Sequence, residues 1–227
     1  MKRRGVWRRS IPSLVALGCA AATPQQDTPD FVAIAQVDPG IAQDIRYAGA
    51  VNFVGAPIDG YERPVCLLTR PAAQALAAVQ QDLRAEGLGL RVYDCYRPQR
   101  AVDHFVRWAA DPSDQRTRET FYPRVAKQEL IARGYIAERS GHSRGSTVDV
   151  TLVGADGAPL EMGTPFDLFD ERSHTGSLAV PAEARANRER LRAAMERRGF
   201  RNLAVEWWHY TLADEPYPDR VFDVPVR

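Results

Sequence analysis

Residues 140–152 read SGHSRGSTVDVTL and join a glycine-rich loop to a predicted strand. In the second half of this stretch, Thr and Asp alternate with Val and Leu, which is typical of a half-buried β-strand whose polar side faces a cleft. His142 precedes Asp149 by seven residues and is flanked by glycines. We therefore expect its loop to fold back over the start of the strand, so that an imidazole and a carboxylate meet.

A second short motif, EWWH, occupies residues 206–209 near the end of the chain. The aromatic and Thr residues between 203 and 212 favour a strand. On a regular strand, however, side chains three residues apart point to opposite faces, which would separate Glu206 from His209. We therefore predict a β-bulge or a strand end between these two residues, because bulges re-aim side chains beside active sites. A helical turn would also align them, but the aromatic and Thr residues favour a strand.

Together the two motifs supply the ligands of a catalytic zinc site. His142, Asp149 and His209 offer two imidazole nitrogens and one carboxylate oxygen, and such a site keeps a fourth position open for water. Glu206 is left as a base beside the metal. An isolated ExxH pattern is weak evidence, but the chain has only four histidines and two of them lie in these motifs. The other two, His104 and His174, are assigned ordinary structural roles.

With these motifs, the sequence resembles the zinc-dependent D-alanyl-D-alanine dipeptidases of the VanX type. This family belongs to a wider group that includes D,D-carboxypeptidases and the zinc-binding domain of Hedgehog signalling proteins. The pattern SxHxxGxxxD followed by ExWH is specific to the wider group. The resemblance is restricted to the dipeptidases by three further blocks, Tyr-Arg-Pro, Met-Gly-Thr-x-Phe-Asp and Glu-Trp-Trp-His. The sequence departs from the family pattern at Glu161, where Asp is expected. The resemblance covers residues 38–215, in blocks DIRY (44–47), NF (52–53), DCYRP (94–98), FYP (121–123), GYIA (134–137), SGHSRG (140–145), Asp149, MGT (162–164), FD (166–167) and EWWH (206–209).

The resemblance implies one zinc ion per chain, held by His142, Asp149 and His209. It also implies that Glu206 is the catalytic base and that Arg97 stabilises the negative charge that develops on the scissile carbonyl. The implied reaction is hydrolysis of D-Ala-D-Ala to two D-alanines.

Two other functions are weighed against this one. The enzymatic alternative is a D,D-carboxypeptidase or endopeptidase that acts on longer peptidoglycan peptides. The non-enzymatic alternative is a zinc-binding module, and the presence of both Glu206 and Arg97 argues against it. Ser140, Asp167 and Asp170 are candidate substrate contacts, although carboxylates in such loops are more often structural.

The element pattern predicts a single α+β domain in which a central antiparallel sheet carries the zinc cleft, with helices packed on its other side. Helices are predicted at 71–88, from Pro98 onward, at 119–133 with an interruption near Pro123, and at 183–198, whose arginines are assigned to a solvated face. A strand at 90–94 delivers Arg97 to its far end, and residues 162–174 form an ordered loop beside the site.

The N-terminal residues have the composition of an export signal. A basic start, a short apolar run and Ala20–Ala22 give residues 1–22 the pattern of a cleaved signal peptide, with a lipoprotein anchor at Cys19 as a variant. Residues 23–37 are predicted to be a flexible spacer and residues 38–227 the catalytic domain. We therefore expect an exported, periplasmic protein with no membrane-spanning segment in the mature chain.

Charge and cysteine content indicate which partners the protein binds and whether its cysteines are oxidised. Without residues 1–22 the chain carries 25 basic and 29 acidic residues. This mildly acidic, mixed surface argues against nucleic acid as a partner and leaves a small dipeptide as the expected one. Cys66 and Cys95 remain as an even pair, which predicts a disulfide in an exported protein, with two buried thiols as the alternative.

Overall fold

The computed structural model describes Met1 and residues 29–227. Residues 2–22 of the predicted signal peptide and residues 23–28 of the predicted spacer therefore lie outside the described residues. Within the described part of the chain, the elements in order are β1 (Phe31–Ala33), α1 (Ile34–Val37), β2 (Ala42–Gln43), β3 (Leu67–Thr69), α2 (Arg70–Arg84), β4 (Gly89–Asp94), α3 (Gln99–Ala110), α4 (Arg118–Phe121), β5 (Thr147–Val153), α5 (Ala182–Arg197), β6 (Phe200–Asn202) and β7 (His209–Leu212).

A five-stranded sheet with the order β2-β4-β5-β7-β6 forms the centre of the fold. Its pairs are antiparallel except for β2 and β4, which run parallel. Helices α2 and α5 pack against strands of this sheet. The predicted α+β class is thereby confirmed. Helix α3 differs from the prediction, because its Phe105 lies on the same side as the predicted cleft and lines the cavity described below.

Strand β5 is buried along its whole length, whereas the sequence predicted a half-buried strand. Val148, Val150 and Leu152 lie in the apolar core, as do Leu76 of α2 and Leu191 of α5. The polar side is covered as well, because β5 is the central strand and the site loops fold over that face. The alternation in the sequence therefore distinguishes the two faces correctly but overstates the exposure of one.

The predicted spacer at 23–37 is wrong in its second half. Residues 31–37 form β1 and α1, and β1 pairs antiparallel with β3 through Phe31↔Thr69. Val32 and Ile34 are buried in the core. The domain therefore begins before residue 38, because this short apolar run pairs with β3 and packs into the core.

The long predicted helices are mostly confirmed, and one is not. Helices α2, α3 and α5 match their predicted positions to within a few residues. The predicted helix at 119–133 is only the four-residue α4 and a single 3-10 turn at Lys127–Glu129. Pro123, which lacks an N–H donor and restricts the residue before it, separates the two turns.

One arginine of α5 is not on a solvated face. Arg188 is fully buried and donates hydrogen bonds to the carbonyl oxygens of Met162, Arg172 and His174 and to the hydroxyl of Thr164. Burial lowers the pKa of Arg188 to about 10. This side chain therefore ties the loop at 162–174 to the helix.

Among the described residues, no helix has both the length and the apolar character needed to cross a membrane.

Candidate metal centre

Three adjacent strands place acidic and imidazole side chains in one row across the sheet. Asp94 at the end of β4 pairs with Asp149 of β5, and Asp149 pairs with His209 at the start of β7. Directly paired residues point to the same face of a sheet. The register between β4, β5 and β7 therefore brings Asp149 and His209 together, although they are 60 residues apart in the sequence.

His142 reaches the same point from the loop before β5. It lies in a 3-10 turn, Gly141–Arg144, and its backbone N–H donates to the Ser140 hydroxyl at 3.2 Å. The turn ends at Gly145, whose φ of 82° suits a residue without a Cβ. The loop therefore folds back over the start of the strand, as the sequence predicted.

The three predicted ligand atoms converge. His142 Nε2 and His209 Nδ1 lie 3.3 and 3.2 Å from Asp149 Oδ1, and the two ring nitrogens are 3.2 Å apart. Tetrahedral coordination with zinc–ligand distances near 2.0–2.1 Å places ligand atoms about 3.3 Å from one another.

The state of Asp149 Oδ1 supports the fit to a cation. This oxygen is buried, and no described residue makes a hydrogen bond to it, despite the two nearby rings. His142 Nδ1 lies 2.7 Å from the Cys95 carbonyl oxygen, which only accepts, so Nδ1 carries the proton and Nε2 presents its lone pair. Two imidazole nitrogens and a carboxylate oxygen are a donor set suited to zinc.

Glu206 lies in a turn that precedes β7. Its N–H donates to Leu203 O and His209 N–H donates to Glu206 O, so the backbone is not yet a strand. The predicted interruption is therefore a strand end, and it brings Glu206 Oε2 to 3.4 Å from His209 Nδ1. Burial raises the pKa of Glu206 to about 7. A carboxyl group with that value exchanges a proton readily near neutral pH.

Arg97 follows β4 and is held beside the row of ligands. Its Nε and one terminal nitrogen each lie 2.9 Å from Asp94 Oδ2, and its guanidinium is 3.7 Å from Asp149 Oδ2. Asp94 is itself fixed, since Tyr61 donates to its other oxygen at 2.6 Å. A buried, oriented positive charge thus faces the place where the three ligand atoms meet.

A cavity of about 200 Å³ opens beside these groups. At one wall Asp167 accepts a hydrogen bond from the Tyr47 hydroxyl at 2.8 Å. Burial, followed by the charge of Asp149, raises the pKa of Asp167 well above its usual value. Asp167 is also the one non-glycine residue with positive φ, 63°, in the described part of the chain, and such strain is concentrated at functional sites.

The cavity includes most of the predicted site residues. Those that line it are Arg97, Ser140, His142, Asp149, Asp167, Glu206 and His209. Asp170 does not, and its role as a substrate contact stays a prediction. In the structure its buried carboxylate accepts hydrogen bonds from Arg124 and Arg172. Glu161 also lies outside the cavity, where it accepts from Gly163 N–H.

Several lining residues were not predicted as site residues. The apolar walls are built by Phe53, Phe105 and Phe169, and Tyr47 orients Asp167. The motif blocks contain Tyr47 and Phe53, but nothing in their local pattern separates a cavity wall from a core position. Phe105 is also a buried residue of helix α3, and helical periodicity alone assigns such a position to the core.

Cys66 and Cys95 form a disulfide in the structure, with their Cα atoms 5.2 Å apart. Both residues are buried. His104 and His174 lie outside the ligand cluster, and His104 Nδ1 accepts from the Asp59 backbone N–H.

Comparison with known proteins gives consistent matches over nearly the whole chain. The profile of the Peptidase_M15 family, described as D-ala-D-ala dipeptidase, matches residues 27–227. A D-alanyl-D-alanine dipeptidase of Enterococcus faecium is 42% identical over 198 residues, which cover 87% of this chain and 98% of that protein. Proteins of the same name from Enterococcus faecalis and Streptomyces coelicolor are 47% and 45% identical, over 82% and 88% of this chain and 93% and 99% of theirs.

Among solved structures, a zinc complex of a mutant of the vancomycin resistance D,D-pentapeptidase VanY is similar with a TM-score of 0.39 and 15% identity. The match covers 69% of this chain and 78% of that one. Such a likeness is too remote to bear on function.

Proposed function

We propose residue roles and a substrate preference from the premise that this chain belongs to the D-Ala-D-Ala dipeptidase family, a family of zinc peptidases. The roles concern the hydrolysis of D-Ala-D-Ala, and the preferred substrate is the free dipeptide. We infer that His142, Asp149 and His209 hold the zinc ion. The observation that carries this is that their three donor atoms lie 3.2–3.3 Å from one another. One of the three, Asp149 Oδ1, is buried and lacks a hydrogen bond.

When bound, zinc supplies a Lewis acid that lowers the pKa of water to about 7 and polarises a carbonyl. Glu206 acts as the general base. Its carboxylate lies beside His209 but outside the set of three donor atoms, so it is free to accept a proton from the attacking water. The same carboxyl group then carries the proton to the leaving amine.

Arg97 stabilises the negative charge that develops on the scissile carbonyl oxygen. Its guanidinium is held by Asp94 and by the aromatic faces of Tyr47 and Phe105, each 5.0 Å from its central carbon. A charge fixed before the reaction needs no reorganisation in the transition state, and the low local dielectric strengthens its effect.

Asp167 binds the ammonium group of the substrate, and the hydroxyl of Ser140 contacts the substrate as well. Asp167 lies in the cavity wall, and an incoming ammonium compensates the burial that otherwise favours its neutral form. The cavity volume of about 200 Å³ is below the range of roughly 300–1,000 Å³ that drug-sized ligands need. A short cavity with an acid in its wall suits a free dipeptide and disfavours a longer peptide, whose chain would continue where the ammonium lies.

The test is D-alanine release from D-Ala-D-Ala and from a tripeptide ending in D-Ala-D-Ala, before and after zinc is removed and restored. We expect zinc-dependent release from the dipeptide and at least about 100-fold lower kcat/KM for the tripeptide, since a buried acid without its ammonium partner costs about 3 kcal/mol. Equal rates would instead make the protein a D,D-carboxypeptidase.

We also propose that residues 1–22 export the protein to the periplasm, where it recovers D-Ala-D-Ala released from the cell wall. The basic and apolar segments at the N-terminus and the Cys66–Cys95 disulfide support this, because such bonds persist in oxidising compartments. Cell fractionation with N-terminal sequencing is the test. Full-length protein in the cytosol would contradict the proposal, and a lipid on Cys19 would identify the lipoprotein variant.

A further inference from the structure

The disulfide includes Cys95, whose carbonyl oxygen contacts the proposed zinc ligand His142. Cys66 precedes β3 and Cys95 follows β4, so the bond joins two segments that are 29 residues apart. Beside the bond, Tyr96 N–H donates to Leu67 O at 2.9 Å. The peptide unit between residues 95 and 96 is therefore held on one side by this hydrogen bond and on the other by the disulfide.

The carbonyl of that peptide unit is the group that orients His142. His142 Nδ1 donates to Cys95 O at 2.7 Å, which is shorter than its 3.5 Å distance to Asp94 Oδ2. The opposite nitrogen, Nε2, is the one that faces Asp149 and His209. A partner of this kind fixes both the tautomer and the ring plane of a metal-binding histidine.

We propose that the Cys66–Cys95 disulfide is a positioning element for the zinc ligand His142 and raises the affinity of the site for zinc. This rests on the proposed role of His142 as a ligand. Neither cysteine lines the cavity or belongs to the ligand cluster, so the bond acts by fixing the Cys95 carbonyl. Without the bond, this segment keeps two backbone hydrogen bonds, from Tyr96 N–H to Leu67 O and from Arg97 N–H to His142 O. A shift of the Cys95 carbonyl by about 1 Å takes it out of hydrogen-bonding range of His142.

The proposal links metal binding to oxidation state. A dithiol reductant donates two electrons and two protons, so that the S–S bond breaks, two thiols form and the reductant becomes a disulfide. Cys66 and Cys95 are buried, so we expect this reaction to be slow in the folded protein. A chain that folds in a reducing compartment never forms the bond and is expected to bind zinc more weakly.

The primary test is the zinc dissociation constant, measured by competition with a chelator. The variant is Cys66→Ala/Cys95→Ala, which removes the bond without leaving thiols that bind zinc themselves. We expect a loss of affinity of about 10- to 100-fold, the usual effect of removing the partner of a metal ligand. Leu191→Ala is the control, because it destabilises the core on α5 without a connection to the Cys95 carbonyl.

A purely structural role predicts the opposite pattern. If the disulfide only stabilises the fold, the double variant and Leu191→Ala lower the unfolding temperature and both keep the wild-type zinc affinity. That result would overturn the proposal. As a second measurement, the absorption spectrum of the cobalt-substituted protein should change in the double variant and stay the same in Leu191→Ala.

Two further arms keep the outcome clear. If the double variant does not fold, Cys66→Ala alone is used, with Cys95 alkylated under conditions in which the wild type keeps its zinc, and the same loss of affinity is expected. Wild-type protein is assayed in parallel for zinc binding and D-alanine release. If the wild type neither binds zinc nor releases D-alanine, the proposed site is refuted. If the variants keep the wild-type zinc affinity, only the role of the disulfide is refuted.

Discussion

At the scale of single residues, Glu206 is distinguished from the three ligands by geometry alone. Replacement by Gln keeps the shape of the side chain but removes the base. We expect Glu206→Gln to bind zinc stoichiometrically and to lose about 10²–10⁴ in kcat, the usual contribution of general acid–base catalysis. Zinc content and steady-state rates are the measurements. Near-normal turnover with zinc bound would show that another group takes the proton. The matched control is Glu196→Gln, which makes the same change on the exposed side of α5.

The pH dependence follows from the same carboxyl group. Burial raises the pKa of Glu206 to about 7, and a bound cation favours the ionised form and moves that value down. The base must be ionised, so kcat/KM should be constant around neutral pH and fall as the pH drops through the pKa, below 7. The pH profile of the zinc-loaded enzyme checks this, and the residual activity of Glu206→Gln should lack the same acid limb.

Substitution of Asp167 tests how the ammonium group of the substrate is recognised. In Asp167→Asn the side chain keeps its size but cannot carry the charge that pairs with an ammonium. We expect KM for D-Ala-D-Ala to rise about 10- to 100-fold, the equivalent of one hydrogen bond between charged groups.

N-acetyl-D-Ala-D-Ala provides the matching substrate control for Asp167→Asn, because it has no ammonium. The wild type should hydrolyse it poorly, and the substitution should weaken its use little further. Equal losses with both substrates would mean that Asp167 serves only to hold Tyr47, with which it shares a hydrogen bond.

The ligand residues could be predicted from sequence because the chemistry restricts them to a few residue types at short spacings. His142 and Asp149 lie seven residues apart, and the mismatch between Glu206 and His209 predicted a strand end that the structure contains. Their partners could not be predicted in this way. Tyr47 meets Asp167 across 120 residues, and Asp170 meets Arg124 across 46, with no local pattern to indicate either contact.

At the scale of elements, helix α5 shows where periodicity is insufficient. Its sequence is dominated by charged residues, which favours a solvated face, yet Arg188 is buried and bonded to three carbonyls of the loop that carries Asp167. Burial of a charge is costly unless hydrogen bonds compensate it. The loop supplies those bonds, so helix and loop stabilise one another.

Substitution of Arg188 by Met should therefore leave the carbonyls of Met162 and Arg172 without donors, while that of His174 keeps only the Ser177 N–H. We expect a loss of at least about 3 kcal/mol in the free energy of unfolding. For a domain of this size that corresponds to a decrease of about 6–12 °C in the unfolding temperature. Thermal unfolding of the zinc-loaded protein is the measurement.

Arg192→Met is the matched control for this substitution. Arg192 lies one turn further along α5, on its exposed side, and pairs with Glu189. Exposed pairs of this kind contribute little, so we expect a change within about 0.5 kcal/mol. If the two variants lose equal stability, the buried hydrogen bonds of Arg188 are not what holds the loop.

At the scale of the whole molecule, the last segment of the chain closes the fold around the site. Phe222 N–H donates to Ser143 O, and Gln99 N–H donates to Phe222 O. Val226 is fully buried and pairs with Tyr61, whose hydroxyl holds Asp94. The loops that carry His142 and Arg97 are thus joined by residues near the C-terminus, an arrangement that depends on contacts distant in sequence and was not predicted.

Acid stability provides a test of how the site loop is attached to the rest of the molecule. Asp170 is buried; burial alone raises its pKa, but hydrogen bonds from Arg124 and Arg172 outweigh this and hold the pKa well below its usual value. A carboxyl group with a lowered folded-state pKa stabilises the protein fully above its unfolded value of about 3.9, and this stabilisation is lost as the pH falls toward the folded pKa.

Asp170→Asn should therefore lower the unfolding temperature at pH 7 and pH 5 by the same amount, and the difference from the wild type should shrink below pH 3.9. Both proteins lose zinc in acid, so the difference between them isolates the carboxylate. Asp82→Asn is the control, because its bond to Arg198 lies at the surface and contributes little. A difference that stays constant down to pH 3 would mean that Asp170 acts through its shape and not its charge, and the loop beside the cavity would then be held mainly by Arg188.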